Sequence, residues 1–335
     1  MALYDLVAEL PLEVDGYELE RRELRVSSDF LRVTTTVVLH GGGERGDGED
    51  VTYTVQDHDG FPSDLPLAGS STLADFSARL DGRELFSRAP AQPAFHDYRR
   101  WAVESAALDL ALRQAGRSLG EALRRPYRPV RFVASTRGDA FAWLDAVPGL
   151  ELKLDPEPAW ERGFIERLAS TDRVRVLDLK AYYRGTPVDV EPDPELYRTL
   201  VELFPDAVLE DAWLEGECRE ALRSAEERLS FDAPIHSLAD VDALPVDVRW
   251  LNVKPSRFGS LARLLECVDA CEARGVRMYG GGQFELGPGR GQIQVLASLL
   301  YADGPNDVAP GVYNEGAPRP GLPASPLPSP ERVGF

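Results

Sequence analysis

Cysteine is scarce in this chain, with three in 335 residues, at positions 218, 267 and 271. That excludes a disulfide framework, and Cys267 and Cys271, four apart on an expected helix, read as small core residues rather than metal ligands. Positive charge is in deficit: 37 Lys and Arg stand against 56 Asp and Glu, a formal net charge of −19. Nucleic acid and anionic membranes would repel such a surface, so neither is expected as a partner. No apolar run approaches 18 residues, and the stretch after Met1 has neither a basic segment nor an apolar one behind it. The expected setting is reducing and cytoplasmic. A Gly-x-Gly-x-x-Gly fingerprint with a ribose-binding acid about 20 residues on is also missing, which argues against a dinucleotide site.

What is present is a globular composition, 43% hydrophobic and 28% charged, in a chain long enough for one large barrel and a smaller domain. Residues 1–60 favour strands. Tyr17 to Val26 and Phe30 to Leu39 are β-rich, and the glycine-rich Gly41 to Gly48 separates the second from Val51-Thr52-Tyr53-Thr54, a pattern that predicts an antiparallel meander. A short helix is expected over 73–80 and a long helical stretch from Asp97 to Leu123, closed by Gly120 and Pro126. Beyond it the chain alternates. Strands are predicted at 129–134, 150–154, 174–179, 207–210, 228–232, 248–253, 276–280 and 306–309, with seven helices between them. Eight strands over about 180 residues favour an α/β fold with a (β/α)7β TIM-type barrel; a doubly wound sheet is the alternative. The organisation expected is an α+β capping domain (1–125), the barrel carrying the site (126–315) and a proline-rich tail (316–335).

Four of the apolar runs end in a charged residue. Val174 to Leu177 ends at Asp178, Ala207 to Leu209 at Glu210, Leu229 to Phe231 at Asp232, and Val248 to Val253 at Lys254. The steps between them are 32, 22 and 22 residues, roughly one βα unit each. A βα barrel gathers those strand tips at one face. Three carboxylates meeting there would repel one another without a cation, and hard oxygen ligands suit magnesium, with manganese as a substitute.

These residues resemble the enolase superfamily, and in particular its muconate-lactonizing and o-succinylbenzoate synthase-like branch. The resemblance runs through the β-rich N-terminal part, the helix WAVESAALDLALRQAGRSLGEAL and the alternating region. It implies metal ligands at Asp178 in VLDLK, Glu210 in VLEDAW and Asp232 in LSFDAP. It implies a catalytic lysine pair at Lys153 in LELKLDP and Lys254 in WLNVKPSRFGSL. It also implies substrate contacts in YGGGQFELGPGRGQ, at Glu285, with Gly282 and Arg290 beside it. The chemistry implied is abstraction of the proton α to a small substrate carboxylate through a metal-stabilised enolate. Isomerisation, cycloisomerisation, epimerisation and syn-elimination all follow from it, so isomerase and lyase both stay open.

The chain departs from that pattern at Glu151, where the first lysine of a Lys-x-Lys pair is common, and at Lys180, where an asparagine is usual. It departs again at Ala212 and Ala233. Lys180 shares a strand face with Asp178 and is expected as a third catalytic cation or a salt-bridge partner. Asp211 is expected on the opposite face from Glu210. His40, His58, His96 and His236 all lie outside strands six to eight, which argues against a histidine base on strand seven; His236 could reach substrate from the loop after strand five. Three other readings remain. Arg290 and the glycines could cradle phosphate at a helix start. The barrel could serve as a small-anion binder or an assembly scaffold. Lys153, Lys180 or Lys254 could form a Schiff base. Specificity is expected in the loop near Val26 to Leu31, and a homo-oligomer is left open.

Overall fold

A computed structural model describes residues 1–26, 31–186, 188–315 and 317–335. The specificity loop expected at 26–31 lies mostly outside these residues. The N-terminal part carries β1 (Pro11–Val14), β2 (Gly16–Arg25), β3 (Leu31–Gly41), β4 (Glu44–Asp50), α1 (Val55–Asp59), β5 (Gly69–Thr72) and α2 (Leu73–Leu80). Strands β2, β3 and β4 form the expected antiparallel meander, and β1 pairs with β5. One expectation fails. The glycine-rich run closes β3 at Gly41, turns and begins β4 at Glu44, and no strand forms over 51–54. Its glycines let the backbone press against α3 (Phe95–Gln114): a Cβ on Gly48 would lie 2.0 Å from the Ala102 carbonyl, and one on Gly46 2.3 Å from the Leu110 amide. Small residues on α3, Ala102 and Ala106, complete that close contact and are fully buried.

The helical stretch divides into α3 and α4 (Leu119–Leu123), the latter started by a capping box between Ser118 and Glu121. The alternating region then runs β6 (Ala134–Thr136), α5 (Ala140–Ala146), β7 (Leu152–Leu154), α6 (Arg162–Ala169), β8 (Val174–Asp178), α7 (Pro194–Leu203), β9 (Val208–Glu210) and α8 (Gly216–Leu222). It continues with β10 (Leu229–Phe231), α9 (Leu238–Asp242), β11 (Trp250–Val253), α10 (Pro255–Phe258), α11 (Leu261–Ala273), β12 (Arg277–Gly280) and α12 (Pro288–Leu300). Asp139, Asp193, Ser237 and Ser260 cap α5, α7, α9 and α11 with their side chains. Short α10 was not expected.

Strands β6 to β12 form one seven-stranded parallel sheet in strict chain order. A doubly wound sheet reverses its strand order at a switch point, and this sheet has none, so that alternative is excluded. The eighth strand predicted at 306–309 is reduced to two bridging residues. Asn306 pairs with Phe132 ahead of β6, and Asp307 pairs with Gly281 at the end of β12. The sheet therefore curls. The tail wraps back over the chain: Leu327 bridges Val130, Gly334 bridges Ser118, and the buried Phe335 ring meets Trp101 edge-on.

The strand period of two decides what enters the curl. Val176, Val208 and Tyr279 make a small apolar cluster separate from the main core. Two residues further along those strands stand Asp178, Glu210 and Gly281. Ser230 and Asn252 likewise precede Asp232 and Lys254 by two. One layer of apolar and neutral polar groups thus lies below a layer of charge.

Candidate metal and proton-transfer site

Asp178, Glu210 and Asp232 are fully buried, and Lys153 and Lys254 nearly so. Lys153 Nζ lies 2.5 Å from Glu210 Oε1, 3.1 Å from Asp178 Oδ2 and 3.7 Å from Asp307 Oδ2. Lys180 Nζ lies 2.5 Å from Asp178 Oδ2 and 3.6 Å from Asp155 Oδ1. On the far side of the curl, Asp232 Oδ2 accepts from Lys254 Nζ at 2.7 Å and from the Tyr183 hydroxyl at 2.9 Å, with Arg257 Nη2 at 3.4 Å. The two lysines expected as a pair therefore each hold a different strand-end carboxylate.

The layer below positions these groups. The Tyr279 hydroxyl and the Asn252 amide both donate to Glu210 Oε2, and Ser230 Oγ lies 3.0 Å from the tyrosine oxygen. The sequence reading missed Tyr279, Asn252, Arg257 and Tyr183. The signal for Asn252 was available, since a polar residue two before Lys254 on an apolar strand must share its face. Arg257 had no such signal, because it reaches Asp232 from the unforeseen α10.

Asp211 departs from simple alternation. Its φ of +53° turns the chain after Glu210, and its carboxylate accepts the amides of Asp232 and Ala233 at 2.8 and 3.0 Å. Asp178, Glu210 and Asp211 each place an oxygen within 4.8 Å of the others. Asp232 stands outside that group, and its Oδ1 is buried without a hydrogen-bond partner. Glu151 plays another part. It joins Arg131 and Arg175 through bonds of 2.6 to 2.8 Å, apart from the acidic group.

Electrostatics at the site are unevenly balanced. Burial works to lower the Lys153 pKa, but Glu210, Asp178 and Asp307 outweigh it and hold the ammonium well above its ordinary range. Burial likewise works against an ionised Asp178, yet Lys180 and Lys153 keep it below the usual carboxylate range. Burial pushes the Glu210 carboxyl well up, with Asp178, Asp232 and Asp211 adding to the effect and Lys153 opposing. Burial, Asp232 and Asp178 push Asp211 up to about 7. Buried acids that resist ionisation beside an unpartnered carboxylate oxygen fit a dication, whose charge would relieve both.

The glycine-rich segment forms its own cluster. Arg290 Nη2 lies 3.0 Å from Glu285 Oε2, and a Cβ on Gly282 would sit 2.7 Å from that same oxygen. The helix start proposed for phosphate is already filled. Glu49 of β4 accepts the amides of Leu286, Gly287 and Gly289 at 2.7 to 3.0 Å, so a carboxylate of the chain itself caps α12. Fully buried Arg32 donates to the carbonyls of Gln283 and Phe284 and ties the same loop to the N-terminal part. The surface hollow bordered by Val248, Arg249, Arg274 and Val276 lies at the N-terminal ends of β11 and β12, opposite the charged layer. The His236 amide donates to Asp240, and burial and the Arg257 charge hold its imidazole pKa below the ordinary value. No helix among the described residues is long and apolar enough to cross a membrane.

Known proteins match this arrangement. N-succinylamino acid racemase of Amycolatopsis sp is 28% identical over 230 residues, 64% of this chain and 60% of the racemase. o-Succinylbenzoate synthase of Bacillus subtilis (strain 168) is 37% identical over 59 residues, 18% of this chain and 16% of the synthase. The chain thus matches less than two thirds of either curated relative. The crystal structure of dipeptide epimerase from Methylococcus capsulatus, complexed with Mg and the dipeptide L-Arg-D-Lys, superposes with a TM-score of 0.66. It is 18% identical and covers 90% of this chain and 92% of the epimerase. The curled parallel sheet, the antiparallel N-terminal part and these likenesses place the chain in the enolase superfamily. Within that class it belongs to the family described as DUF8230: the C-terminal domain model matches residues 126–315 and the N-terminal model residues 5–122.

Proposed function

We propose that the chain is a magnesium-dependent enzyme that removes the proton α to a carboxylate of a small substrate, as an isomerase or lyase. N-acylated amino acids are the first substrate class to test. In this reading residues 1–125 cap a barrel formed by 126–315, closed through Asn306 and Asp307, and 316–335 are a wrapping tail. The observation that carries it is the placement of Lys153 and Lys254 on either side of one buried acidic group, each within 2.7 Å of a strand-end carboxylate. The printed activities of the racemase, the synthase and the epimerase support the same chemistry.

Asp178, Glu210 and Asp232 would hold the ion, with Asp211 in reach of the first two. Magnesium supplies positive charge that makes the α-carbon more acidic. Lys153 and Lys254 would exchange a proton with that carbon from opposite sides: the charge of the bound dication would lower the lysine pKa, so that one as a neutral amine removes the proton and the other as an ammonium ion returns it. Tyr279 and Asn252 keep Glu210 in place. Arg257 and Tyr183 do the same for Asp232, and buried walls exclude water. Glu285, Gly282 and Arg290 bound the substrate on the strand-seven side.

Incubating the protein with magnesium and N-succinylamino acids of either hand in D2O, and following the α-proton by NMR, tests this directly. Deuterium entering at the α-carbon is the expected result. If neither these compounds nor dipeptides exchange an α-proton, the reading fails.

Magnesium binding should also release protons. Asp211, pushed up to about 7, still holds its proton at pH 6, and a dication beside it displaces that proton. Calorimetry at pH 6 in buffers of different ionisation enthalpy should give about one proton released per ion. The number should fall toward zero at pH 9, above the Asp211 pKa of about 7.

A further inference from the structure

Lys180 encloses a single carboxylate. Its amide donates to Asp178 Oδ1 at 3.3 Å while its ammonium holds Oδ2 at 2.5 Å, a double contact made possible by a φ of +54°. Asp178 Oδ2 also carries the Lys153 ammonium at 3.1 Å, so two cations share one oxygen. A dication that takes Asp178 as a ligand must meet one of them. Lys153 has no freedom to leave, being 2% exposed and held by Glu210 as well. Lys180 has a long stem, is 13% exposed, and has a second carboxylate within reach: Asp155 Oδ1, 3.6 Å from its Nζ. The other Asp155 oxygen is occupied by Arg137 Nε at 2.7 Å, which fixes that carboxylate in place. A movement of about 1 Å would bring the ammonium to hydrogen-bond distance of Asp155.

We propose that Lys180 competes with the dication for Asp178, and that Asp155 is the carboxylate that takes its ammonium when the dication binds. The site then exchanges one cation for another instead of accumulating charge. Lys180 sets the affinity for the ion, and Asp155 sets how readily Lys180 yields. This rests on the metal site proposed above and adds the residue pair that tunes it.

Titration of Mn2+, followed by electron paramagnetic resonance, and of Mg2+ by calorimetry compares the wild-type chain with Lys180→Asn, Asp155→Asn and the double variant. Asparagine tolerates positive φ better than most residues, so the backbone at 180 is preserved. Lys180→Asn should tighten both ions at least tenfold. Asp155→Asn alone should weaken them several-fold, and in the Lys180→Asn background it should change affinity by less than twofold. The proposal is overturned if Lys180→Asn leaves affinity unchanged or lower, or if Asp155→Asn has the same effect in both backgrounds. Binding by every variant with equal affinity sinks this inference and leaves the metal site standing. Binding by none removes the metal site itself, and this inference with it.

Discussion

Lys153→Ala should lower α-proton exchange on the order of 10³-fold and destabilise the EDTA-treated protein by about 3–5 kcal/mol. Both effects have one origin. The ammonium lies between Glu210 and Asp178 in a place with almost no solvent, so its removal leaves two carboxylates facing each other with Lys180 as the remaining cation on Asp178. Chemical denaturation gives the stability change. Magnesium separates the two roles, because a dication can replace the missing charge but cannot carry the proton. Added Mg2+ should therefore recover most of the lost stability of Lys153→Ala and none of its exchange. Exchange that survives in Lys153→Ala, or returns with metal alone, would remove Lys153 from the chemistry. Lys254→Ala should lose exchange comparably while costing less stability, since Asp232 keeps Arg257 and Tyr183.

Glu49→Ala should cost about 2–4 kcal/mol, through a helix whose cap comes from another part of the chain. Three amides at the start of α12 depend on this one carboxylate, and burial leaves no water to replace it. Burial pushes the Glu49 pKa up, with Glu285 adding to the effect, while Thr34 and the amides oppose it. The substitution thus trades lost capping against relief of one repulsion, and the lost bonds outnumber it. A melt in which Glu49→Ala unfolds within one degree of wild type would show that α12 is capped by other means. Glu49→Gln keeps the shape and one acceptor, and should fall between the two.

These two residues mark what could and could not be read in advance. Lys153, between Leu152 and Leu154, is marked by the family resemblance, whereas Asp178, Glu210, Asp232 and Lys254 each end an apolar run, which sends them together to the strand tips. Local pattern was enough because every strand of the parallel sheet follows the last in chain order. Glu49 follows Gly48 in a strand whose partner surface is a helix 50 residues on, and nothing local marks it as a cap for α12, about 240 residues away. Strand β4 was hidden for the same reason, since its glycines disfavour a strand until α3 packs on them. Asp211 was placed by alternation, which a single positive φ overrides. Arg257 and Tyr183 come from segments beyond strand ends, where no period applies.

Gly281 holds the strand-seven place in the charged layer and has no side chain to put there. A Cβ at that position would lie 2.7 Å from Lys254 Cε and 2.4 Å from Asn252 Oδ1. The lysine stem runs against bare backbone, so its lower carbons are fixed and only the terminal amine is left to turn. In the proposed reaction, proton delivery by Lys254 would thereby be confined to one approach, and the hand of whatever product it protonates would be set by the hydrogen atom of a glycine. Gly281→Ala would displace the amine without deleting it, and an enantiomeric excess that drifts while Lys254 remains in the chain would be its signature.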